Sequence, residues 1–319
     1  MDSITQFVLG VGVGLAVSPI KTRRIALISG AIATLPDLDI FIRQSDVLLS
    51  TIKHRGFSHS LFFLAFLSFP LAALIQKYCS KTLLDYRQWF WLCFWVLITH
   101  PLLDSLTIYG TQLFWPLPAP GVMIGSMFIF DLFYTLPLLI SFIILMRRKT
   151  IPSWAGISLN TLALTLSSSY LILSLVLQNF VQHAHRPPLD ADKIINQYVT
   201  PTPTNLLIWQ SVFIDKTHSY ESYYNLLTGG SKWLILPLNK DKLKAEDSKS
   251  IAQYDYFSHG FYQLLEQGDE LVLRDIRMGR TDMAIFGFVV AKKHQGIWQA
   301  VIPTNKPLKS FSFKRMFGW

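Results

Sequence analysis

Seven ionisable side chains stand where a strongly apolar sequence can least tolerate them: Asp37 and Asp39 in Pro36-Asp-Leu-Asp39, His54 and His59 in His54-Arg-Gly-Phe-Ser-His59, His100 and Asp104 in His100-Pro-Leu-Leu-Asp104, and Asp131. A helix would put His100 and Asp104, four residues apart, on one face. Neutral imidazole and carboxylate together form the donor set of Zn²⁺ or Mn²⁺, and the carboxylates balance the charge of the ion where water is scarce. Such an ion polarises an ester or phosphoryl oxygen and acidifies water, and a spare carboxylate can act as general base. On this reading His54, His59, His100 and Asp104 are the metal ligands. Asp37, Asp39 and Asp131 complete a second metal position or supply the base. Taken singly, each residue also has a structural explanation as an interhelical hydrogen bond, a relay member or a cap, with Ser58 and His59 placed to cap the following run. Seven on one face are harder to explain that way.

The elements that must position them read as membrane spans. Hydrophobic residues make up 51% of the 319 and charged residues 15%, against about 25% charged in a typical soluble domain. Six runs are apolar enough to cross a bilayer: 4–20, 25–42, 60–79, 88–106, 127–146 and 155–181. Each approaches the roughly 20 residues that a crossing requires. The first has Asp2 in place of a basic leader and no clear cleavage site, so it reads as a retained span. Trp89, Trp91 and Trp95 open the fourth, where an interfacial aromatic belt is expected. Lys21, Arg23 and Arg24, then Lys77, Lys81 and Arg87, then Arg147, Arg148 and Lys149 fill alternate connections, while 107–126 has no charge. The positive-inside rule puts the basic connections in the cytoplasm and both termini outside. The seven candidate residues then gather at the outer leaflet.

Beyond His183-Ala-His185-Arg-Pro-Pro188, a linker, the chain becomes more polar and holds most of the Lys and Arg. The runs 206–214, 233–238, 270–276, 284–291 and 296–302 are strand-like, and 251–267 looks helical. The expected fold is thus a membrane all-α bundle of six transmembrane helices (1–181) followed by a small β-rich, α+β extracytoplasmic domain (182–319). The net charge of +9 does not point to nucleic acid, because the basic residues are scattered and flank apolar runs. Cys79 and Cys93 form no metal or disulfide framework and read as buried thiols.

Several neighbours of the proposed site have two readings. Arg43, Lys53 and Arg55 could bind an anionic headgroup or phosphate, or be solvated loop charges. Thr111 and Gln112 could line the pocket or satisfy a tight turn. Ser58 and Ser60 lack the Gly-x-Ser-x-Gly setting of a hydrolase nucleophile. His259 reads as a surface histidine, and the His183/His185 pair alone is a weak signal.

Met1-Asp-Ser-Ile-Thr5, Pro36-Asp-Leu-Asp39, His54-Arg-Gly-Phe-Ser-His-Ser60, Thr99-His-Pro-Leu-Leu-Asp104 and Tyr109-Gly-Thr-Gln-Leu-Phe-Trp-Pro116 resemble the YdjM/YbcI-like family of bacterial inner-membrane, metal-dependent hydrolases, also described as LexA-binding. The tail is similar too, through Phe257-Ser-His-Gly-Phe-Tyr262 and Asp275-Ile-Arg-Met-Gly279. The resemblance implies a membrane hydrolase with metal-binding His and Asp. Members often carry His where this chain has Gln6, which implies a weaker or altered site, with Gln6 orienting a ligand from behind. The LexA-binding description does not suit an outward-facing site.

Together these readings predict metal-dependent hydrolysis at the outer face of the cytoplasmic membrane. The cofactor would be a divalent ion, Zn²⁺ or Mn²⁺, the non-protein partner the lipid bilayer, and the substrate a lipid-like or lipid-linked ester or phosphodiester. Arg55, Arg43 and Gln112 are the candidate substrate contacts. Two other classes stay open: a transporter using the same polar residues as an ion path, and a non-enzymatic scaffold with a structural metal.

Overall fold

Asp2 starts the first helix, its carboxylate accepting from the Thr5 backbone N–H at 3.0 Å to cap α1, Ser3–Val17. Gly10 and Gly14 then let α1 lie almost backbone to backbone on α2, Arg23–Ala33: an added Cβ would come within 2.3 Å of Ala33 Cβ at the first and 2.0 Å of Ser29 Oγ at the second. Helix α2 stops at Thr34, and Pro36–Phe41 forms a 3-10 turn. The computed structural model that shows this describes residues 1–42, 44–78, 84–148, 153–154, 157–243, 248–277 and 287–306. A second 3-10 turn, Phe57–His59, leads into α4, Leu61–Tyr78. Asp85 and Gln88 close a capping box at the start of α5, Tyr86–Ser105. Helices α6, Leu132–Arg148, and α7, Leu159–Ala184, follow. Helix α5 is the centre of this unit: Trp89, Leu92, Cys93, Val96 and Leu97 are fully buried, in one core with Val11, Leu15, Ile25 and Leu64.

The six-span bundle is not what forms. Among the described residues, two helices are long and apolar enough to cross a bilayer, α4 and α7. Most of their surface is covered by no protein, with Phe62, Phe66 and Phe69 exposed on one and Ile172, Leu173 and Val176 on the other. The other four apolar runs do become helical, but none combines the length and the apolarity of a lipid-facing span. Helix α2 has 11 residues, about 16 Å at 1.5 Å per residue, against a hydrocarbon core of about 30 Å. Helices α1 and α6 have 15 and 17 residues. Helix α5 has 20, yet it carries Arg87, His100 and Asp104 and buries one apolar face, with Trp89, Leu92, Cys93, Val96, Leu97 and Leu103, in protein. Its apolarity serves a protein core. Trp89 accordingly lies inside, while Trp91 and Trp95 are exposed.

The chain forms two compact units, one of 1–41, 55–184 and 199–209, the other of 42–54, 185–198 and 210–319. The second unit therefore includes α3, Val47–Lys53, which is capped by Asp46 and packs on α8, Lys249–Ser258, and on β11, Ile297–Asn305. Leu48 is its buried anchor. A short ribbon pairs β1, Ser153–Trp154, with β2, Ile157–Ser158. Strands β3, Asn196–Thr202, β4, Asn205–Ile214, β5, His218–Asn225, and β6, Gly229–Gly230, lie in that order in one sheet, and β7, Leu234–Pro237, also pairs with β5. In the other sheet β8, Tyr262–Gln267, β9, Glu270–Asp275, β10, Gly287–His294, and β11 run as an antiparallel meander.

The helix expected over 251–267 is α8 followed by β8. His259 and Gly260 adopt positive φ of 53° and 79° and end the helix there. Strands β3 and β5 were not anticipated, because their mixed polar sequences, such as His218-Ser-Tyr-Glu-Ser222, are buried on both faces and show no alternation. Arg43, Cys79 and residues 284–286 lie outside the described residues.

Candidate metal centre

Three helices and two 3-10 turns bring the site together. His100 and Asp104 come from one face of α5, both completely buried. The His100 Nδ1 lies 2.6 Å from the Ala33 carbonyl oxygen at the end of α2. A carbonyl can only accept, so Nδ1 donates to it, and Nε2 is aimed inward. The Asp104 Oδ1 accepts from the Gln6 amide at 3.0 Å and from the Met1 amine. Gln6 also donates to the His100 carbonyl at 3.2 Å, so one α1 side chain ties both ligand-bearing turns of α5 in place.

The two turns are joined through Asp39. Its Oδ2 accepts the Arg55 backbone N–H at 3.0 Å and the Ser58 hydroxyl at 2.6 Å. The Ser58 proton is thus committed to a carboxylate, so the same oxygen, 3.0 Å from His59 Nδ1, is placed to accept from that nitrogen. This holds His59 with its Nε2 toward the centre. Asp37, two residues before Asp39, enters from the first turn.

Four potential ligand atoms converge: Asp37 Oδ1, His59 Nε2, His100 Nε2 and Asp104 Oδ2, all within 4.8 Å of one another. The two Nε2 atoms are 3.1 Å apart. Asp37 Oδ1 is 3.4 Å from each, and Asp104 Oδ2 is 3.3 Å from His59 and 3.6 Å from His100. Bonds of 2.0–2.1 Å in a tetrahedron would separate ligand atoms by about 3.3 Å. The Asp104 Oδ2 is buried and lies 3.2 Å from Arg55 Nε, whose charge it faces together with the two imidazoles. Both imidazoles also have their outer nitrogen engaged, one by a backbone carbonyl and one by a hydroxyl–carboxylate pair, the arrangement that fixes metal-ligating histidines. The residues fit a divalent ion.

Without a metal, a proton must serve instead. Burial alone would lower the His59 pKa, but the Asp104 and Asp37 carboxylates facing the ring outweigh it and raise the value. Burial likewise opposes ionisation of Asp37, yet contacts from His100 and His59 hold its carboxyl well below the ordinary range.

The other residues proposed from the sequence are placed as follows. His54 is outside the four-residue group; it ends α3, its backbone N–H bonded to Ser50. Asp39 supports the turns behind His59, its carboxylate 3.7 Å from Nδ1. Asp131 caps α6, accepting from the Phe133 and Tyr134 backbone at 3.0 and 3.2 Å and from the Tyr170 hydroxyl at 2.9 Å. Arg55 is buried with φ of 62°, its Nε 3.2 Å from Asp104 Oδ2, its Nη1 on the Thr107 hydroxyl and its guanidinium over the Tyr109 ring. Gln112 bonds through its backbone to the Arg55 carbonyl. Sequence reasoning missed Thr107 and the orienting role of Ser58. The Ser-His dipeptide was a signal for Ser58, whereas nothing local marked Thr107.

Two apolar helices long enough to cross a bilayer, with a buried His/Asp cluster, are what a membrane protein with a candidate metal centre would show. The chain belongs to the family described as "YdjM inner membrane protein", whose profile matches residues 1–181. It is also similar to "Uncharacterized protein YfhP" of Bacillus subtilis (strain 168), 23% identical over 216 residues, which are 63% of this chain and 62% of that protein. No solved structure matches.

Proposed function

We propose that this protein is a membrane-bound metal-dependent hydrolase of a lipid-like ester or phosphodiester. The observation that carries the reading is the convergence of Asp37, His59, His100 and Asp104 with both histidines oriented from behind. A bound Zn²⁺ or Mn²⁺ would supply Lewis acidity toward an ester or phosphoryl oxygen and toward water. His100 and Asp104 would hold the ion from rigid α5, and His59 from the second turn. Asp37 is the exposed member, its side chain 20% accessible against 0% for the other three. It is therefore the group that a substrate or water reaches first. Arg55 is engaged with Asp104, so its charge balances the centre instead of reaching out to substrate.

Orientation supports an outward-facing site. Lys77 lies in the last turn of α4 and Arg87 in the first turn of α5, while Arg147 and Arg148 end α6, ahead of α7. The positive-inside rule puts those ends in the cytoplasm. The start of α4, next to His59, and the end of α7, which leads into the second unit, then face outside.

A structural metal is favoured by one observation: four protein donors can close a tetrahedral shell. Purified protein should be assayed against p-nitrophenyl esters and bis-p-nitrophenyl phosphate with Zn²⁺ or Mn²⁺, with chelator, and as His59→Ala. Metal-dependent turnover lost in the variant supports the hydrolase. Bound metal that raises thermal stability without turnover on any substrate supports the structural reading. Turnover that survives both chelation and His59→Ala rules out the metal mechanism.

A further inference from the structure

The ligand that reaches the surface, Asp37, is followed by apolar residues that also lie at the surface. Ile40 and Phe41 are 72% and 78% exposed, and Leu38 is exposed as well, although all three share one 3-10 turn with Asp37 and Asp39. The loop after α5 repeats the pattern, with Phe114, Trp115 and Leu117 exposed in a stretch, 107–126, that has no charged residue.

This second loop has a fixed depth. The Leu61 backbone N–H donates to the Leu113 carbonyl at 2.9 Å, and the Ser60 hydroxyl donates to the Trp115 carbonyl at 2.5 Å. The Phe57 ring lies edge-on to Trp115 at 6.1 Å. Leu61 is the first residue of α4, one of the two helices able to span a bilayer. A loop bonded to that residue is held at the level where the span begins, and aromatic side chains at that level are what a membrane–water interface selects. Exposed apolar clusters of this kind mark an interaction surface, and here the adjoining span identifies its occupant.

We propose that the Leu38–Phe41 turn and the Phe114–Leu117 loop dip into the bilayer interface, so that the metal centre opens toward lipid and takes an amphiphilic substrate laterally from the membrane. The substrate half of this statement rests on the hydrolase reading; the insertion does not. The exposed side chains of both segments are apolar, and the one ionisable residue among them, Asp39, is turned inward onto the Arg55 backbone and Ser58, so insertion is driven by apolar burial and is independent of anionic headgroups.

The test uses the full chain with Cys79→Ser and Cys93→Ala, spin-labelled singly at Phe41→Cys, Phe114→Cys or Leu117→Cys. The protein is reconstituted in phosphatidylcholine bilayers with or without phosphatidylglycerol. Ile172→Cys on α7 and Leu227→Cys in the second unit, both at exposed positions, give the lipid and water references. The labels at 41, 114 and 117 should be reached by oxygen and lose access to a nickel chelate, as at 172, in both lipid mixtures. Nickel access equal to that at 227 would overturn the proposal. So would exclusion of both reagents, which means a protein partner covers the surface, or insertion only with phosphatidylglycerol. If the labels insert but no ester or phosphodiester is hydrolysed, the hydrolase reading falls and the inserted surface stands.

Discussion

Asp104→Asn separates the metal-holding role of this carboxylate from its structural one. The side chain keeps its volume and can still accept from Gln6, but it loses the charge that faces two imidazole nitrogens at 3.3 and 3.6 Å and Arg55 Nε at 3.2 Å. One unit-charge attraction at such range is about 4 kcal/mol at the effective dielectric of a protein site, which is about three decades of affinity. Zn²⁺ at about 100 times the wild-type Kd stabilises the folded protein by about 2.7 kcal/mol. At the same concentration the variant would be far below its own Kd and gain almost nothing. The metal-free variant should also lose stability, because Arg55 is left buried beside a neutral amide, although Thr107 and the Tyr109 ring still hold it. Breaking a buried pair costs up to about 3–5 kcal/mol. The assay is thermal unfolding in detergent with Zn²⁺ and with chelator, beside titration calorimetry. Asp131→Asn is the control, a buried carboxylate that caps α6 outside the centre. A wild-type zinc shift in Asp104→Asn, or an equal loss of the shift in Asp131→Asn, would refute the reasoning.

Ser58→Ala should weaken Zn²⁺ binding roughly 10–100-fold, as removal of a ligand-orienting partner does, while Ser60→Ala, which loses a buried hydroxyl bonded to Trp115 in the same turn, should not; chelator competition measures both. Proton and metal compete for His59, whose pKa is raised above its ordinary 6.5. Zn²⁺ affinity should therefore fall as pH drops through that raised value, about tenfold per unit for one displaced proton. The metal-free protein should show the opposite sign: a raised folded-state pKa contributes stability that is fully present below about 6.5 and is lost as pH rises through the raised value. Melting curves across that window with and without metal would fail the reasoning if the two slopes agreed. Gly230→Ala should destabilise the second unit by about 1–3 kcal/mol, because its Cβ would sit 2.3 Å from the His185 ring. That ring is stacked on Trp233 and bonded to Ser222, so it cannot yield; an unchanged melt would contradict this.

What the sequence by itself determined was the chemistry of the site and part of its local geometry. Ionisable residues in apolar surroundings marked Asp37, His59, His100 and Asp104, and helical periodicity alone put the last two on one face of α5. The tertiary structure decided which candidates meet. His54 and Asp131 carry the same chemistry, but one ends α3 in another unit and the other caps α6. Arg55 read as a substrate contact or a loop charge, and a positive φ turns it inward onto Asp104 instead. The contacts that aim the ligands join residues far apart in the chain, Ala33 with His100 and Gln6 with Asp104, and no local pattern encodes such pairs. The number of membrane crossings was hidden for a related reason. An apolar run shows that water is excluded, but only packing decides whether protein or lipid excludes it, and α5 and α1 found protein where α4 and α7 did not.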